Sequence, residues 1–208
     1  MPRMKIFNTL EQATFDTPPV FNSTERKQFF ALPLMLQDAM AGLRTPTNKV
    51  CFLAAVGYFK ARRKFFARNV NSADIDYIAR QLNLSIADVD ITSYTKFACI
   101  HHQRIILDYF GCRPFDATTM AFAKSEIAML APVQYQPKQI LIEIIQILSR
   151  EKIEVPSYNV LADLIITAIS QHKHTLSNII HHGLNETQRS KLDALLEKEN
   201  DNTTTEGW

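Results

Sequence analysis

Glycine is scarce in this sequence of 208 residues, which contains five glycines beside nine prolines. The phosphate-binding loops of nucleotide-binding enzymes need glycines at fixed spacing, and neither GxxxxGK(S/T) nor GxGxxG occurs here. GxSxG and HExxH are also absent, so the sequence has no motif for serine-hydrolase or zinc-protease chemistry. The low glycine and proline content, with 46% hydrophobic residues, excludes collagen-like and broadly disordered chains.

Cysteine is equally sparse, and long hydrophobic runs are missing. Cys51, Cys99 and Cys112 are widely spaced and form no CxxC pair, which predicts neither a disulfide framework nor a cysteine-based zinc site. No apolar run reaches the roughly 18 residues of a membrane span, and acidic residues interrupt the region where a secretory signal needs an apolar stretch. We therefore expect a cytoplasmic protein in a reducing compartment, with no membrane partner.

Apolar residues recur at helical spacing along most of the chain, and no alternating strand pattern reaches four clean repeats. The isoleucine-rich stretch 138–150 resembles a strand in composition, but its length and Pro137 at the first helical position favour a helix. The sequence thus predicts an all-α fold, a multi-helix bundle with tandem helix-turn-helix-like units. The expected helices cover residues 22–43 with a break at Pro33, 47–68, 71–83, 93–110, 117–130, 138–150, 157–183 and 185–199.

Positive charge is concentrated at the start of the chain. Residues 1–70 contain eleven Lys and Arg and four Asp and Glu, a net charge of +7, whereas residues 71–157 carry −2 and residues 158–208 carry −3. Clustered Lys and Arg gain free energy when they release counterions from phosphates, so a polyanion such as nucleic acid is one interpretation. The alternative is an ordinary solvated helix surface.

Cations and aromatic residues alternate in residues 58–66, YFKARRKFF. On a continuous helix, Lys60, Arg63 and Lys64 share one side at i, i+3 and i+4, opposite aromatic residues that anchor the helix. Such a side can meet a phosphate backbone or enter a groove, and Asn48 and Lys49 add donors near the positive end of the helix dipole. The solvated end of an amphipathic helix remains the alternative.

The candidate DNA-contacting residues form two groups, a stronger one in residues 48–68 and a weaker one in residues 101–113. Arg62 and Arg63 are the candidates for base contact, since arginine reads guanine bidentately, and the other cations of the first group are assigned to phosphates. For the second group, ordinary exposed polar residues are the alternative. The full set is Asn48, Lys49, Lys60, Arg62, Arg63, Lys64, Arg68, His102, Arg104 and Arg113.

Catalytic and metal sites are not expected. The carboxylates of Asp74 and Asp76, like those of Asp88 and Asp90, are two residues apart, which turns them away from each other on a helix. Four histidines between residues 172 and 182 lie on one predicted helix with no cysteine or carboxylate to complete a ligand set, so a polar helix surface is the favoured interpretation. We predict a non-enzymatic protein without a cofactor.

The sequence contains the segments 29–33 (FFALP), 44–50 (RTPTNKV), 57–66 (GYFKARRKFF), 74–79 (DIDYIA) and 109–115 (YFGCRPF). Together they resemble the amino-terminal region of transposases of the Tn-three family of replicative bacterial transposons, and the resemblance covers most of residues 1–185. The resemblance implies tandem helix-turn-helix modules that bind the terminal inverted repeats of the element. It places the family's basic segment on Lys49, Lys60, Arg62, Arg63, Lys64 and Arg68, and its later cluster on His102 and Arg104. Ile100, His101 and residues 69–71 depart from the family pattern.

In that family, strand cleavage belongs to a downstream acidic-triad domain, which this sequence does not contain. The resemblance therefore implies double-stranded DNA binding by a truncated transposase, at the bacterial nucleoid and without strand transfer. The alternatives are a helical protein-interaction module that pairs with or inhibits a full-length transposase, self-association, and a decaying gene product. We expect a basic DNA-binding unit in residues 1–70, a second helix-turn-helix-like unit in 71–155, a helical extension in 156–199 and a disordered tail in 200–208.

Overall fold

The protein is described by a computed structural model that covers residues 5–134, 136–188 and 190–191. Within these residues there are α-helices, short 3-10 turns and one isolated β-bridge between Arg113 and Ile153, but no strand. The all-α prediction is therefore confirmed. The helices are α1 (Thr9–Asp16), α2 (Ser23–Phe29), α3 (Gln37–Ala41), α4 (Pro46–Arg62), α5 (Ser72–Gln81), α6 (Lys96–Phe110), α7 (Ala117–Leu130), α8 (Pro137–Arg150) and α9 (Tyr158–Gly183).

Local sequence signals set most helix ends. Asn22 accepts hydrogen bonds from two first-turn amides of α2, and Asp116 does the same for α7. Gly111 ends α6 in the left-handed conformation, with φ of 59°, and Pro137 opens α8. Pro33 divides the predicted helix 22–43 into α2, a 3-10 turn and α3. The predicted helix 185–199 is seen only at its start, because most of it and the predicted tail lie outside the described residues.

The first hydrophobic core surrounds α4, which packs against α2, α5 and α6. Phe52, Leu53 and Phe59 of α4 are fully buried there, together with Ile78 of α5 and Ile106 of α6. Because α5 and α6 share this core with α4, the packing continues across the expected boundary between residues 70 and 71.

The second core joins α7, α8 and α9 around residues such as Ile144, Leu148 and Leu161. The amino-terminal segment belongs to this core rather than to the first, because Ile6 is buried in it and the Phe7 ring stacks on Tyr158 with centroids 5.3 Å apart. Residues 1–70 consequently contribute to both cores.

Gly57 allows α2 and α4 to approach closely. A Cβ atom at this position would lie 2.5 Å from Cε1 of Phe30, a ring that is fully buried and has no room to move. We expect Gly57→Ala to lower the free energy of unfolding by about 1–3 kcal/mol, the usual cost of overpacking a core.

Gly42 is the matched control for this prediction, because a Cβ there meets only backbone oxygens at 3.6 Å. Urea unfolding followed by circular dichroism gives both values, with Gly42→Ala expected to be neutral or stabilising by up to about 1 kcal/mol. Equal effects of the two substitutions would contradict the close approach of α2 and α4.

The carboxy-terminal part of α9 extends beyond the second core. Ile165 is its last buried residue, and most side chains from Ser170 to Gly183 are exposed. In the described part of the chain, no helix combines the length and the hydrophobicity that crossing a bilayer requires.

Candidate nucleic-acid interface

The basic residues between 60 and 64 do not lie on one face of a continuous helix. α4 ends at Arg62, and the next residue, Arg63, adopts the left-handed conformation with φ of 53°. The turn that follows packs the Phe65 ring on Phe59, with centroids 4.6 Å apart. Lys60, Arg63 and Lys64 therefore do not share the predicted i, i+3, i+4 surface, and that prediction is wrong.

Lys64 is an internal ion-pair residue with 5% of its surface exposed. Its ammonium donates to Oδ1 of Asp16 and to the Pro156 carbonyl oxygen at 3.1 Å, and it lies 3.8 Å from the centroid of the Phe15 ring. Burial lowers the pKa of Lys64, and the hydrogen bond and charge of Asp16 oppose that shift. The prediction that Lys64 contacts DNA is wrong, because its donors hold α1 and the start of α9 against the end of α4.

Arg63 is also engaged internally. Its guanidinium lies 5.1 Å from the Phe110 ring centroid, and its carbonyl oxygen accepts from the Val155 amide at 2.8 Å. Within residues 58–66, the exposed cations are Lys60, which donates to the Gln28 carbonyl oxygen at 2.9 Å, and Arg62. Their assignment to DNA stays a prediction.

Arg62 lies at a groove between α1, the end of α4 and α8, with a volume of about 660 Å³. Leu10, Phe15, Ile142 and Ile145 provide apolar lining. Within the described residues, Arg62 has no acidic partner. The groove combines an apolar lining with the exposed guanidinium of Arg62.

Two further candidates near the helix start are half-buried. Asn48 and Lys49 occupy the first turn of α4, where the Asn48 amide already donates to Oγ1 of Thr45 at 3.2 Å. Arg113 is exposed in the connection between α6 and α7, and its guanidinium donates to the Glu151 carbonyl oxygen at 3.4 Å. The assignment of all three to DNA remains a prediction.

His102 is buried inside the first half of the molecule, with 1% of its surface exposed. Its Nδ1 atom is hydrogen bonded to the Tyr94 hydroxyl at 2.9 Å, and its ring meets Phe52 edge-on at 5.2 Å. Burial lowers the pKa of His102 from 6.5 to about 4, with a smaller contribution from His101. The prediction that His102 contacts DNA is therefore wrong.

The buried imidazole makes stability depend on pH. Since the pKa of His102 is lower in the folded protein than in the unfolded chain, its stabilising contribution is complete above pH 6.5 and is lost as the pH falls towards 4. We expect the free energy of unfolding to fall by up to about 1.4 kcal/mol per pH unit in this window through His102. His102→Gln should remove that part of the slope, whereas His101→Gln, at the exposed neighbouring position, should leave most of it in place, because burial is the larger cause of the shift. Denaturant unfolding at a series of pH values measures both, and an unchanged slope in His102→Gln would contradict the assignment.

One face of α6 is exposed along its first three turns. Phe97 and Ile100 have 83% and 54% of their surfaces exposed, and His101 and Arg104 are exposed beside them. On an α-helix, residues 97, 100, 101 and 104 fall on one side, opposite the buried residues 99, 102 and 106. Phe97 and Ile100 are exposed although they match the helical spacing of apolar residues, because a different stripe of α6 faces α4.

Arg68 lies beside the beginning of this helix. The carbonyl oxygen of Ala67 accepts from Sγ of Cys99 at 3.6 Å, and the Arg68 guanidinium lies 3.4 Å from the Tyr94 carbonyl oxygen. The first helical residue is Lys96, which is exposed. We call the surface of Phe97, Ile100, His101 and Arg104, together with Lys96 and Arg68 at its amino-terminal edge, the α6 face.

The α6 face carries three cations, and the exposed carboxylate on the same side of the helix is that of Asp108, one turn after Arg104. Among the described residues, Arg68, Lys96 and Arg104 have no carboxylate partner. Thr95 caps the Ala98 amide, while the amides of Lys96 and Phe97 have no protein acceptor in the described chain. Free amides at a helix start and three unpaired cations are groups that bind phosphate.

The connection between α5 and α6 is longer than in a helix-turn-helix motif, which joins its helices by about three or four residues. Residues 82–95 link them through two 3-10 turns, Ile86–Asp88 and Ile91–Ser93. Both helices nevertheless pack against α4, which holds α6 with its charged face outward. The residues predicted from the sequence include Arg68 and Arg104 but not Lys96, Phe97 and Ile100. A helical wheel of residues 96–110 shows two apolar stripes, and the second stripe indicates an exposed apolar surface.

In a comparison with known families, a family model described as Domain of unknown function (DUF4158) matches residues 6–168. The matched span includes both cores and the α6 face, and it ends just after Ile165, the last buried residue of α9. No curated protein matches the chain.

Proposed function

This chain belongs to the DUF4158 family, and we propose that it binds double-stranded DNA through the α6 face. The observation that supports this function is the set of three cations without carboxylate partners in the described chain: Arg68 and Lys96 at the start of α6, and Arg104 about two turns further along the helix. An α-helix that presents its first turns can enter the major groove while flanking cations neutralise phosphates.

The proposed DNA is the terminal inverted repeat of a transposon. The support for this part is the resemblance of residues 44–50 and 57–66 to the amino-terminal region of Tn-three family transposases. In this proposal the protein recognises DNA at the nucleoid and holds it, without chemistry of its own and without a cofactor.

Fluorescence anisotropy of a labelled duplex tests DNA binding directly. The affinity is measured between about 50 and 200 mM salt, where each neutralised phosphate contributes about −0.9 to the slope of log affinity against log salt. We expect a slope of about −2.7 or steeper from the three cations of the α6 face. A duplex that shows no salt-dependent binding would overturn the proposed function.

The groove at Arg62 favours a second candidate function, docking of a partner helix. Its lining of Leu10, Phe15, Ile142 and Ile145 with an exposed guanidinium is complementary to an amphipathic helix that carries carboxylates. A full-length transposase or a second copy of this chain could supply such a helix. If docking is the whole function, the anisotropy of the duplex stays constant at every salt concentration while the protein remains folded.

A further inference from the structure

Phe97 and Ile100 are the large apolar side chains that α6 exposes, whereas Ile106 and Leu107 of the same helix are buried. They are about one helical turn apart, and Arg104 follows on the same side about 10 Å from Phe97 along the axis. The apolar pair therefore lies between two exposed cations, Lys96 at the start of the helix and Arg104, with Asp108 one turn beyond Arg104.

This arrangement matches a particular chemical group in DNA. In the major groove every base pair presents hydrogen-bonding atoms, and the C5-methyl group of thymine is the apolar group among them. A helix held against phosphates by cations at its flanks brings the side chains between those cations to the base edges. For α6, the side chains in that position include a phenyl ring and a branched aliphatic chain.

We propose that Phe97 and Ile100 read the methyl groups of two thymines, so that the ligand of the α6 face is a duplex with neighbouring T·A pairs. This inference rests on the proposed DNA-binding function. Side chains three residues apart on a helix are about 5–6 Å apart at Cβ, which corresponds to thymines separated by one or two base steps of about 3.4 Å. Apolar contact with the C5-methyl group distinguishes thymine from uracil. A uracil-containing duplex has the same hydrogen-bonding groups and phosphates but lacks the methyl group.

The test replaces thymine by deoxyuridine in a duplex that the full chain selects from a random-sequence DNA pool. Loss of two buried methyl contacts is expected to weaken binding about tenfold, at about 0.8 kcal/mol for each methyl group. The salt slope should not change, because the phosphate contacts are retained.

Protein variants test whether Phe97 and Ile100 cause the difference in affinity between the thymine and deoxyuridine duplexes. Phe97→Ala with Ile100→Ala is expected to weaken binding to the thymine duplex by about the same factor and to bind the thymine and uracil duplexes equally. The matched control is Met129→Ala with Val133→Ala, which removes two exposed apolar side chains from the α7 region. This control should keep the full preference for thymine.

The outcomes separate the inference from the function on which it rests. Salt-dependent binding with equal affinity for thymine and uracil duplexes would overturn the reading of methyl groups and leave DNA binding intact. A thymine preference that persists in the Phe97 and Ile100 variant would also overturn it. Absence of any duplex binding would overturn the proposed function, and the inference with it.

Discussion

Replacing Arg68, Lys96 and Arg104 together by alanine is expected to lower the affinity for duplex DNA by about two to three orders of magnitude at 0.1 M salt. Each phosphate contact contributes about 0.9 to the salt slope, which at this salt concentration corresponds to nearly one order of magnitude in affinity. The slope of log affinity against log salt should also become flatter by about 2.7, and fluorescence anisotropy measures both quantities.

A second triple variant controls for net charge. Lys124, Lys173 and Lys191 are exposed cations on α7, on α9 and beyond α9, so their replacement by alanine removes the same total charge from other surfaces. We expect the affinity of this control to change by less than about threefold. If both triple variants lose the same affinity, binding depends on overall charge and the α6 face is not the interface.

Local signals account for the part of the fold that could be predicted. Asn22, Asp116 and Gly111 act on amides and carbonyls within a few residues, so their caps are visible in the sequence. The helical interpretation of the isoleucine-rich segment is confirmed by α8, where Ile140 and Ile144 are buried one turn apart. These features need no knowledge of the rest of the chain.

Lys64 shows why the candidate site was less predictable. Its partners, Asp16 and the Pro156 carbonyl, are 48 and 92 residues away along the chain, and no local pattern identifies them. The same holds for the Phe7 amide, which donates to the Tyr158 hydroxyl 151 residues away. Cations that follow one another in a sequence can therefore make tertiary contacts in the interior. The fold is needed to distinguish such cations from those on the surface.

α6 presents the opposite difficulty. Its sequence has apolar residues on two sides, and periodicity alone does not decide whether the stripe with Phe97 or the stripe with Ile106 faces the core. Packing against α4 selects the second, because Cys99 then contacts Cys51 and Tyr94 while His102 reaches the Tyr94 hydroxyl. The position of α4 determines which stripe is buried, so His102 faces the interior and Arg104 faces the surface.

The second large effect is expected at Asp74, whose side chain is fully buried at the junction of α2, α4 and α5. Its carboxylate accepts from Nε of Arg26 and the Tyr58 hydroxyl, each at 2.7 Å, and from Nδ2 of Asn71 at 3.3 Å. Burial raises the pKa of Tyr58, which keeps the hydroxyl protonated as a donor. The hydrogen-bonded carboxylate of Asp74 thus connects α5 to α2 and α4.

Asp74→Ala is expected to lower the free energy of unfolding by about 3–5 kcal/mol, because it leaves the guanidinium of Arg26 and the hydroxyl of Tyr58 in the interior without their acceptor. Asp88→Ala is the control: its side chain is exposed in a 3-10 turn, and its removal should change stability by no more than about 0.5 kcal/mol. Adding Arg26→Met to Asp74→Ala should recover part of the loss, since it removes the unpaired charge. Urea unfolding gives these values from the midpoint at a constant m-value, and a loss below about 1 kcal/mol in Asp74→Ala would show that the buried carboxylate does not hold the three helices together.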